Sequence, residues 1–306
     1  MRNQFAKSIF EISKKDKRVH VVVADISPAG KMKDFQKKFP KRFINTGVAE
    51  QSMIGMAAGL AMNKKKVFAY TISTFSLYRP FEMIRVDLCY QNLPVCVVGM
   101  GAGTIYANLG ATHLTQEDIS VARSIPNLNV VCPSDPYELD QAVRYFCKSS
   151  KGPMYLRIGK TGEPNYNFRE TELWKFGKLR KIKKGKDLCF LSFGPIMKMV
   201  LSISRKLEAV NRSSEIYSCH TLKPFDNIRL KKIFNNFKNI VILEDHSYIG
   251  GLSSIVKQLA YENNYSGKIH SYSLKDEFLH SYSNQNDLLK KHGLDEIKII
   301  NQLKKI

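Results

Sequence analysis

The stretch that decides the fold is Thr46-Gly47-Val48-Ala49-Glu50-Gln51-Ser52-Met53-Ile54-Gly55-Met56-Ala57-Ala58-Gly59-Leu60-Ala61-Met62. Beyond its first residues it is almost entirely Ala, Gly, Ile, Leu and Met, and a helix that is apolar on every side is predicted to be buried. The small residues Gly55, Ala58 and Gly59 would let another backbone come close. Glu50 starts this helix, either as a charge that favours the helix dipole or as a carboxylate aimed at a ligand.

The segment Gly47-Val48-Ala49-Glu50-Gln51 and the Ala- and Gly-rich helix after it resemble the pyrimidine-binding domain of thiamine-diphosphate enzymes of the transketolase group. The resemblance runs from about residue 19 to about residue 259. It implies that Glu50 hydrogen-bonds the aminopyrimidine ring of thiamine diphosphate and favours its imino tautomer. That tautomer removes the thiazolium proton, and the resulting ylid does the carbon chemistry while the protein orients it. The implied role of Glu50 is both catalytic and cofactor-binding.

Three aromatic residues, Phe75, Tyr78 and Phe81, follow the predicted strand 66–71. Aromatic residues at this spacing are typical of a core as well as of a ligand site. The segment resembles the Thr-Phe segment of the family, whose rings stack on the aminopyrimidine, and Phe75 is its firmest match. The resemblance implies cofactor contacts for all three. Deoxyxylulose-phosphate synthases carry Arg at the position of Tyr78, so this chain leans away from them.

His113 lies in a polar, glycine-rich loop after the predicted strand 93–99. The loop contains Gly-x-Gly, but no helix follows at once, so a dinucleotide fingerprint is not indicated. Its Gly-x-Thr-His element resembles that of the family, where the His lies beside the thiazolium and serves substrate binding or proton transfer, tasks that suit a group titrating near neutrality. A surface-loop His is the alternative. Many transketolases carry an acidic residue and a second imidazole where this chain has Leu109 and Gly101, so the resemblance does not extend to those sugar-phosphate contacts.

Asp25 and Arg157 each follow or end a predicted strand, where open α/β sheets place ligand-facing residues. Asp25 precedes the predicted turn 27–30, and transketolases carry an Asp here near the subunit interface; a turn-capping Asp is the alternative. Arg157 belongs to a Tyr-Leu-Arg segment of the family, where an Arg can hold a substrate phosphate or carboxylate. A structural ion pair fits that pattern equally well. We predict substrate binding for Asp25, Arg157 and His113.

Alternating strands and helices predict an α/β protein with two doubly wound domains. The resemblance divides the chain into a pyrimidine-binding domain at 1–165, a linker at 166–186 and a transketolase C-terminal domain at 187–306. The second domain carries Glu244 and His246 in a Glu-x-His-x-x-x-Gly-Gly element typical of the family, and we expect them to be structural or interface residues. The tail, 268–306, is polar with a weak helical signal.

The composition describes a globular protein with an unusually basic charge. The 306 residues carry a formal charge of +21, but the Lys clusters are spread along the chain without an RNA-binding motif. We expect a solvated Lys-rich surface, with attraction of anionic substrates or an acidic partner as the alternative, and no nucleic acid. No apolar run approaches the ~18 residues of a membrane span, and the first residues lack a signal-peptide core. The six scattered cysteines show no metal-type spacing, and we expect buried free thiols in the cytoplasm.

The resemblance implies a transferase that moves a two-carbon ketol unit between sugars or sugar phosphates with thiamine diphosphate and Mg²⁺. The alternatives are the β subunit of a 2-oxo-acid dehydrogenase, a deoxyxylulose-phosphate-synthase-like enzyme and an inactive scaffold. Gly110-Ala111-Thr112-His113 favours a transketolase, and the presence of Glu50 argues against a scaffold.

The chain is expected to work only with a partner. Mg²⁺ requires oxygen ligands, and the Gly-Asp-Gly motif that provides them in the family is absent from the sequence. We therefore expect no metal ligands on this chain and a separate subunit that carries the diphosphate-binding domain. The expected assembly is a heterotetramer with two copies of each chain, an α2β2 composition.

Overall fold

Parallel strands rich in β-branched residues form the centre of both halves of the chain. The computed structural model describes residues 1–26, 30–160, 162–166, 168–278, 280 and 282–306. Its strands are β1 (Val19–Val23), β2 (Phe43–Asn45), β3 (Lys66–Ile72), β4 (Val95–Met100), β5 (Asn129–Val131), β6 (Met154–Ile158), β7 (Arg180–Lys183), β8 (Leu188–Ser192), β9 (Ser214–Ser218), β10 (Thr221–Lys223), β11 (Asn239–Ser247) and β12 (Lys268–Leu274).

Helices cover both faces of these sheets, which is why strands such as β1 are buried throughout. They are α1 (Arg2–Lys15), α2 (Lys31–Lys38), α3 (Glu50–Met62), α4 (Ser73–Leu77), α5 (Phe81–Met83), α6 (Asp118–Ser124), α7 (Pro136–Ser149), α8 (Met197–Glu208), α9 (Asn227–Asn236), α10 (Leu252–Glu262), α11 (Gln285–Lys291) and α12 (Glu296–Leu303). A π-helical segment, Ile84–Tyr90, continues α5.

The two sheets confirm the predicted α/β architecture. The first has the order β10-β5-β6-β4-β3-β1-β2, and the second has the order β12-β11-β8-β9-β7. Neighbouring strands are parallel except at two edges, where β10 pairs antiparallel with β5 and β7 pairs antiparallel with β9. Strand β7 lies within the stretch predicted as a linker, 166–186, so that stretch supplies an edge strand to the second sheet.

Helix α3 buries only one of its faces, contrary to the prediction for an all-round apolar helix. Ala57 is fully buried in the core, whereas Met56 is 42% and Met62 63% exposed. Nothing lies within 4 Å of the position that a Cβ on Gly55 or Gly59 would occupy. The prediction of a fully buried helix is therefore wrong for the chain by itself, because no layer of described residues covers this apolar face.

The tail is more ordered than its weak helical signal predicts. It contributes β12, which pairs parallel with β11, and the helices α11 and α12. Leu288, Ile299 and Leu303 from these helices are buried. The apolar positions are confined to short helices separated by polar loops, which dilutes the periodicity along the tail. Residues 27–29 of the predicted turn at 27–30 lie outside the described residues. None of the described helices combines the length and apolar character needed to cross a bilayer.

Candidate active site

Four neighbouring strands deliver candidate residues to one edge of the first sheet. Strands β2, β1, β3 and β4 lie side by side and run parallel. Asp25 follows β1, Glu50 follows β2, Phe75 follows β3 and the loop with His113 follows β4. The carboxyl ends of parallel strands meet at the same edge of a sheet, which is where open α/β sheets bind ligands.

Glu50 begins α3 and is buried, with 3% of the residue exposed. Arg79 Nη1 donates to Glu50 Oε2 at 2.7 Å, and Arg79 is the one hydrogen-bond partner of this carboxylate within the described residues. The Arg79 side chain is 42% exposed, so the pair lies where the interior meets the surface. A buried carboxylate is costly without a partner. Arg79 supplies one and leaves Glu50 Oε1 open to a ligand.

An aromatic pair lies beside this ion pair. The rings of Phe75 and His113 meet edge to face, with centroids 5.3 Å apart and planes at 79°. The guanidinium carbon of Arg79 is 5.2 Å from the Phe75 centroid, so Arg79 connects the Phe75 ring to Glu50. The Tyr106 ring also lies near the imidazole, with centroids 6.3 Å apart. The structure therefore brings together the carboxylate, the aromatic face and the imidazole that the sequence assigns to one site.

The main chain around His113 turns sharply. Gly110 has φ +77°, a conformation that favours glycine, and its carbonyl accepts a hydrogen bond from the His113 amide at 3.0 Å. The Thr112 hydroxyl lies 3.0 Å from His113 Nδ1. No described protein group hydrogen-bonds His113 Nε2. The imidazole thus has one nitrogen engaged by its neighbour and the other available.

Tyr78 and Phe81 pack against the core beneath α3. The Tyr78 hydroxyl is buried and has no hydrogen-bond partner among the described residues. Burial, together with the negative charges of Asp118 and Glu117, raises the pKa of Tyr78. These contacts correspond to the core alternative that the sequence left open. Both side chains therefore pack into the core next to the segment that carries Phe75.

Arg157 is engaged in a buried ion pair, with 2% of its side chain exposed. Its Nε donates to Asp118 Oδ2 at 2.8 Å, and its Nη2 donates to the main-chain oxygen of Asp245 at 2.8 Å. The Tyr155 hydroxyl donates to the same Asp118 oxygen at 2.8 Å. Burial works against the positive charge, but Asp118 and Asp245 together raise the pKa of Arg157. The contacts are those of a structural ion pair, the second of the two interpretations offered by the sequence.

Asp25 is exposed at the end of β1 and has φ +45°, which is uncommon outside glycine. Its amide donates to Asn45 Oδ1 at 3.2 Å, and the Gly47 amide donates to the same oxygen at 3.0 Å. Asn45 therefore ties the end of β1 to the turn that precedes Glu50. The Asp25 side chain itself remains open to solvent or to another chain.

Arg79 is a member of the cluster that the sequence analysis missed. It follows Phe75 by four residues, in the turn that comes directly after α4, and its guanidinium lies over the Phe75 ring. Pairing of a guanidinium with an aromatic ring at this spacing is a signal available in the sequence. Its ion pair with Glu50 was not available there, because it depends on how α3 packs against α5 and the π-helical segment that follow Arg79.

Two family models match this chain. The model described as transketolase, pyrimidine binding domain, matches residues 1–163, and the model described as transketolase, C-terminal domain, matches residues 177–299. These domains define a chain of the thiamine-diphosphate enzyme class. The chain belongs to the transketolase family, as its sequence motifs predict.

Similar proteins are subunits of split transketolases. A Methanocaldococcus jannaschii protein, provisionally named transketolase C-terminal section, is 36% identical over 296 residues, which cover 96% of this chain and 92% of the relative. An apulose-4-phosphate transketolase subunit of Phocaeicola vulgatus is 29% identical over 295 residues, which cover 96% of this chain and 93% of the relative. A solved structure titled "Split gene transketolase, inactive beta4 tetramer" matches with a TM-score of 0.87 and 31% identity, over 99% of this chain and 97% of that one.

These comparisons confirm the predicted kind of protein, a transketolase-like transferase subunit of the split type. The chain also matches 1-deoxy-D-xylulose-5-phosphate synthases, but it spans 47% to 48% of their length. The split transketolase subunits are matched over nearly their whole length. The comparisons therefore favour the transketolase over the synthase alternative.

Proposed function

We propose that this chain supplies the pyrimidine-binding half of a thiamine-diphosphate site in a split transketolase. The observation that carries the proposal is the cluster of Glu50, Phe75 and His113 at the carboxyl edge of the first sheet. Glu50 is fixed at the start of α3 by its ion pair with Arg79. Its position at a helix N-terminus and its burial both restrict the carboxylate to one orientation, which a catalytic group requires.

The residues at this edge fit an aminopyrimidine ring. Glu50 offers a carboxylate oxygen for a hydrogen bond to a ring nitrogen, and Phe75 offers a half-buried aromatic face. When bound, the cofactor supplies the nucleophilic thiazolium carbon that forms and breaks the carbon–carbon bond. The role of Glu50 is to hold the proton that the ring nitrogen takes up. The cofactor contacts predicted for Tyr78 and Phe81 stay a prediction, and their packing against the core supports the Phe75 segment.

His113 is proposed to serve the substrate. Its Nε2 is available for a hydroxyl or carbonyl group, and its ring lies near the rings of Phe75 and Tyr106. A direct contact of Arg157 with substrate would require breaking a buried ion pair with Asp118, which is costly. We therefore assign Arg157 a supporting role. Asp25 is exposed beside this edge, and we propose that it contacts substrate once a second chain closes the site.

The proposed partner is a chain that carries the diphosphate-binding domain and the Mg²⁺ ligands. The uncovered face of α3 is apolar, lies next to Glu50 and continues into Val48, which is 71% exposed. Such a surface is typical of a protein–protein contact. A related chain whose structure is titled an inactive tetramer of one subunit type is consistent with a need for the other subunit. We propose a heterotetramer with two copies of each chain.

The proposed reaction is transfer of a two-carbon ketol unit between sugars or sugar phosphates. The apulose-4-phosphate transketolase relative supports a sugar-derived substrate. We further propose that the enzyme acts in the cytoplasm. All six cysteines are free and buried, as expected for a protein of a reducing compartment. The division into domains at 1–165 and 187–306 is part of the same proposal, with β7 as an edge strand inside the connection.

The test is reconstitution from two separate chains. This chain is purified alone, and thiamine-diphosphate binding is measured by calorimetry with Mg²⁺. The measurement is repeated after addition of the proposed diphosphate-binding chain, together with a ketol-transfer assay on a panel of sugars and sugar phosphates. We expect tight binding and turnover only in the mixture. Turnover by the lone chain, or a mixture that binds the cofactor but transfers no ketol unit to any sugar, would contradict the proposal.

A further inference from the structure

The loop that carries His113 is fixed by a carboxylate of the second domain. Asp245, near the end of β11, is 2% exposed, and both of its carboxylate oxygens lie 3.2 Å from the Thr104 amide that donates to them. Gly103 has φ +72°, and a Cβ at that position would lie 2.2 Å from Asp245 Oδ2. Residue 103 must therefore be glycine for the carboxylate to reach the loop.

Two hydrogen bonds connect Gly103 to Thr115, in the part of the loop that carries His113. The Gly103 amide donates to Thr115 Oγ1 at 2.7 Å, and the Thr115 amide donates to the Gly103 oxygen at 3.1 Å. His113 lies two residues before Thr115 in the chain. A shift of the main chain at Gly103 and Thr104 therefore carries the limb with His113 along with it.

Other groups of the second domain contact the end of the loop and the start of α6, which follows it. The Ser247 amide donates to the Gln116 oxygen at 2.7 Å, and the Ile119 amide donates to His246 Nε2 at 3.2 Å. His246 Nδ1 lies 2.7 Å from the Ser247 oxygen, so Nδ1 donates to that oxygen while Nε2 accepts from the Ile119 amide. Leu288 of α11 packs with two apolar residues of the loop, Ala107 and Leu114.

Arg157 joins this anchor to the first sheet. Its guanidinium bonds the main-chain oxygen of Asp245 and the Asp118 carboxylate. Burial raises the pKa of Asp245, although the charge of Arg157 opposes the shift. The carboxylate thus bears a desolvation cost that its bonds to Thr104 and its neighbour Arg157 partly offset. A salt-bridged network of this kind fixes geometry more than it adds stability.

We propose that Asp245 is a positioning residue for His113 and that the second domain contributes to the site through it. Asp245 touches neither the proposed cofactor nor the substrate, and it acts by holding Gly103 and Thr104 in place. The inference rests on the proposed function, because it takes His113 to serve the substrate. Misplacement of a catalytic group by about 1 Å can cost ~10²-fold in rate, so an anchor outside the site can have a large effect.

The test compares three variants of the full chain, alone and with its partner subunit. Asp245→Asn keeps the size of the side chain but replaces one acceptor oxygen with a donor. Thr115→Val removes the hydroxyl that accepts the hydrogen bond from the Gly103 amide, and it leaves Asp245 unchanged. Asp226→Asn is the matched control, because Asp226 is also a buried carboxylate of the second domain that accepts two backbone amides, from Leu179 at 3.1 Å and Arg229 at 3.2 Å.

Amide hydrogen exchange of peptide 103–116 is followed by mass spectrometry on the lone chain. It measures how well the loop is protected and does not depend on enzyme activity. We expect exchange to accelerate at least about tenfold in Asp245→Asn and Thr115→Val and to stay unchanged in Asp226→Asn. In the assembled enzyme we expect kcat/KM for the sugar to fall at least about tenfold in the first two variants, while thiamine-diphosphate affinity stays within about twofold. A fall confined to kcat/KM separates misplacement of His113 from general loss of folding.

Unchanged exchange in Asp245→Asn and Thr115→Val overturns the proposal, even if activity falls. Accelerated exchange with normal kcat/KM overturns it as well, because the loop would then open without consequence. An equal fall of kcat/KM in Asp226→Asn assigns the effect to stability and also overturns it. If the assembled wild type transfers no ketol unit, the proposed function fails, and the exchange of 103–116 decides by itself whether Asp245 anchors the loop.

Discussion

Arg79 holds Glu50 and Phe75 at the same time. Its guanidinium donates to Glu50 Oε2 at 2.7 Å, and its central carbon lies 5.2 Å from the Phe75 centroid. The carboxylate and the aromatic ring are the two groups that we propose for the pyrimidine of the cofactor. Arg79 therefore fixes both groups in the free chain and leaves Glu50 Oε1 open to the proposed ligand.

Replacing Arg79 by Met tests whether Arg79 holds these two groups for the cofactor. Met keeps much of the side-chain length but removes the donors, so a buried carboxylate loses its partner. We expect the free energy of unfolding of the cofactor-free chain to fall by about 1 to 3 kcal/mol. We expect the assembled enzyme to gain less thermal stability from thiamine diphosphate than wild type does, because the carboxylate and the ring are no longer held in one orientation for the ligand. Differential scanning calorimetry with and without cofactor measures both.

Arg79→Lys is the control for charge, since it keeps a cation near Glu50 without the planar guanidinium. It should lie between wild type and the Met variant in the cofactor-free measurement. A larger stabilisation by thiamine diphosphate in Arg79→Met than in wild type would show that Arg79 competes with the cofactor instead of orienting Glu50 and Phe75 for it.

Glu50→Gln is expected to keep the fold and remove catalysis. The amide has the same shape, but it cannot hold a proton for the pyrimidine nitrogen. Turnover of the assembled enzyme should fall at least ~10²-fold, the range typical of acid–base groups. Circular dichroism checks the fold, and a steady-state ketol-transfer assay checks the rate. Near-normal turnover would eliminate the catalytic role of Glu50.

His113→Ala separates substrate recognition from cofactor binding. If His113 serves the substrate, kcat/KM should fall, whereas the affinity for thiamine diphosphate should change little. Calorimetric titration of the assembled variant with thiamine diphosphate and Mg²⁺ gives the second quantity. His20→Gln, on β1 and away from this edge, is a control for loss of an imidazole. A large drop in cofactor affinity in His113→Ala would assign the residue to the cofactor.

The motifs in the sequence predicted the frame of the site well. Glu50, Phe75 and His113 each follow a parallel strand, and a shared sheet edge is enough to bring such residues together. The sequence did not reveal which neighbours would hold them. Arg79 bonds Glu50 because α3 packs against α5 and the π-helical segment Ile84–Tyr90, which follow Arg79 in the chain, and this tertiary contact has no local signal in the sequence.

At Arg157 the sequence suggested a ligand contact, and the structure shows an internal one. Its position at the end of β6 fits a ligand-facing residue, but Asp118 reaches it from α6 and turns it into a structural ion pair. The outer face of α3 is a further case. Composition predicted burial, whereas Met56 and Met62 are exposed, so no described residue of this chain covers that face. A single sequence does not separate burial within a chain from burial between chains.

His220 allows a prediction about pH at the junction of the two domains. It is fully buried and stacks on Trp174, with centroids 5.1 Å apart and planes at 29°. Its Nδ1 lies 2.9 Å from Thr221 Oγ1, and its Nε2 has no hydrogen-bond partner among the described residues. Burial and the positive charge of Arg180 lower the pKa of His220 from 6.5 to about 3, against the opposing charge of Asp135.

The sign of the effect follows from proton binding. Below pH 6.5 the unfolded chain protonates this imidazole, whereas the folded chain keeps it neutral down to about pH 3. The unfolded state therefore binds more protons in this window, and the contribution of His220 to the free energy of unfolding decreases as the pH falls. One such proton changes that free energy by ~1.4 kcal/mol per pH unit well below 6.5. His220 should make the chain markedly less stable in mild acid.

His220→Phe keeps an aromatic ring against Trp174 and removes the titration. Urea unfolding of the full chain at several values between about pH 4 and 8 should show a slope of stability against pH that is smaller than wild type by up to one proton. Thr221→Val is the matched control, because it removes the hydroxyl next to His220 but keeps the imidazole. The control should retain the wild-type slope even if its stability falls. An unchanged slope in His220→Phe would mean that the imidazole takes up its proton in the folded chain as readily as in the unfolded one.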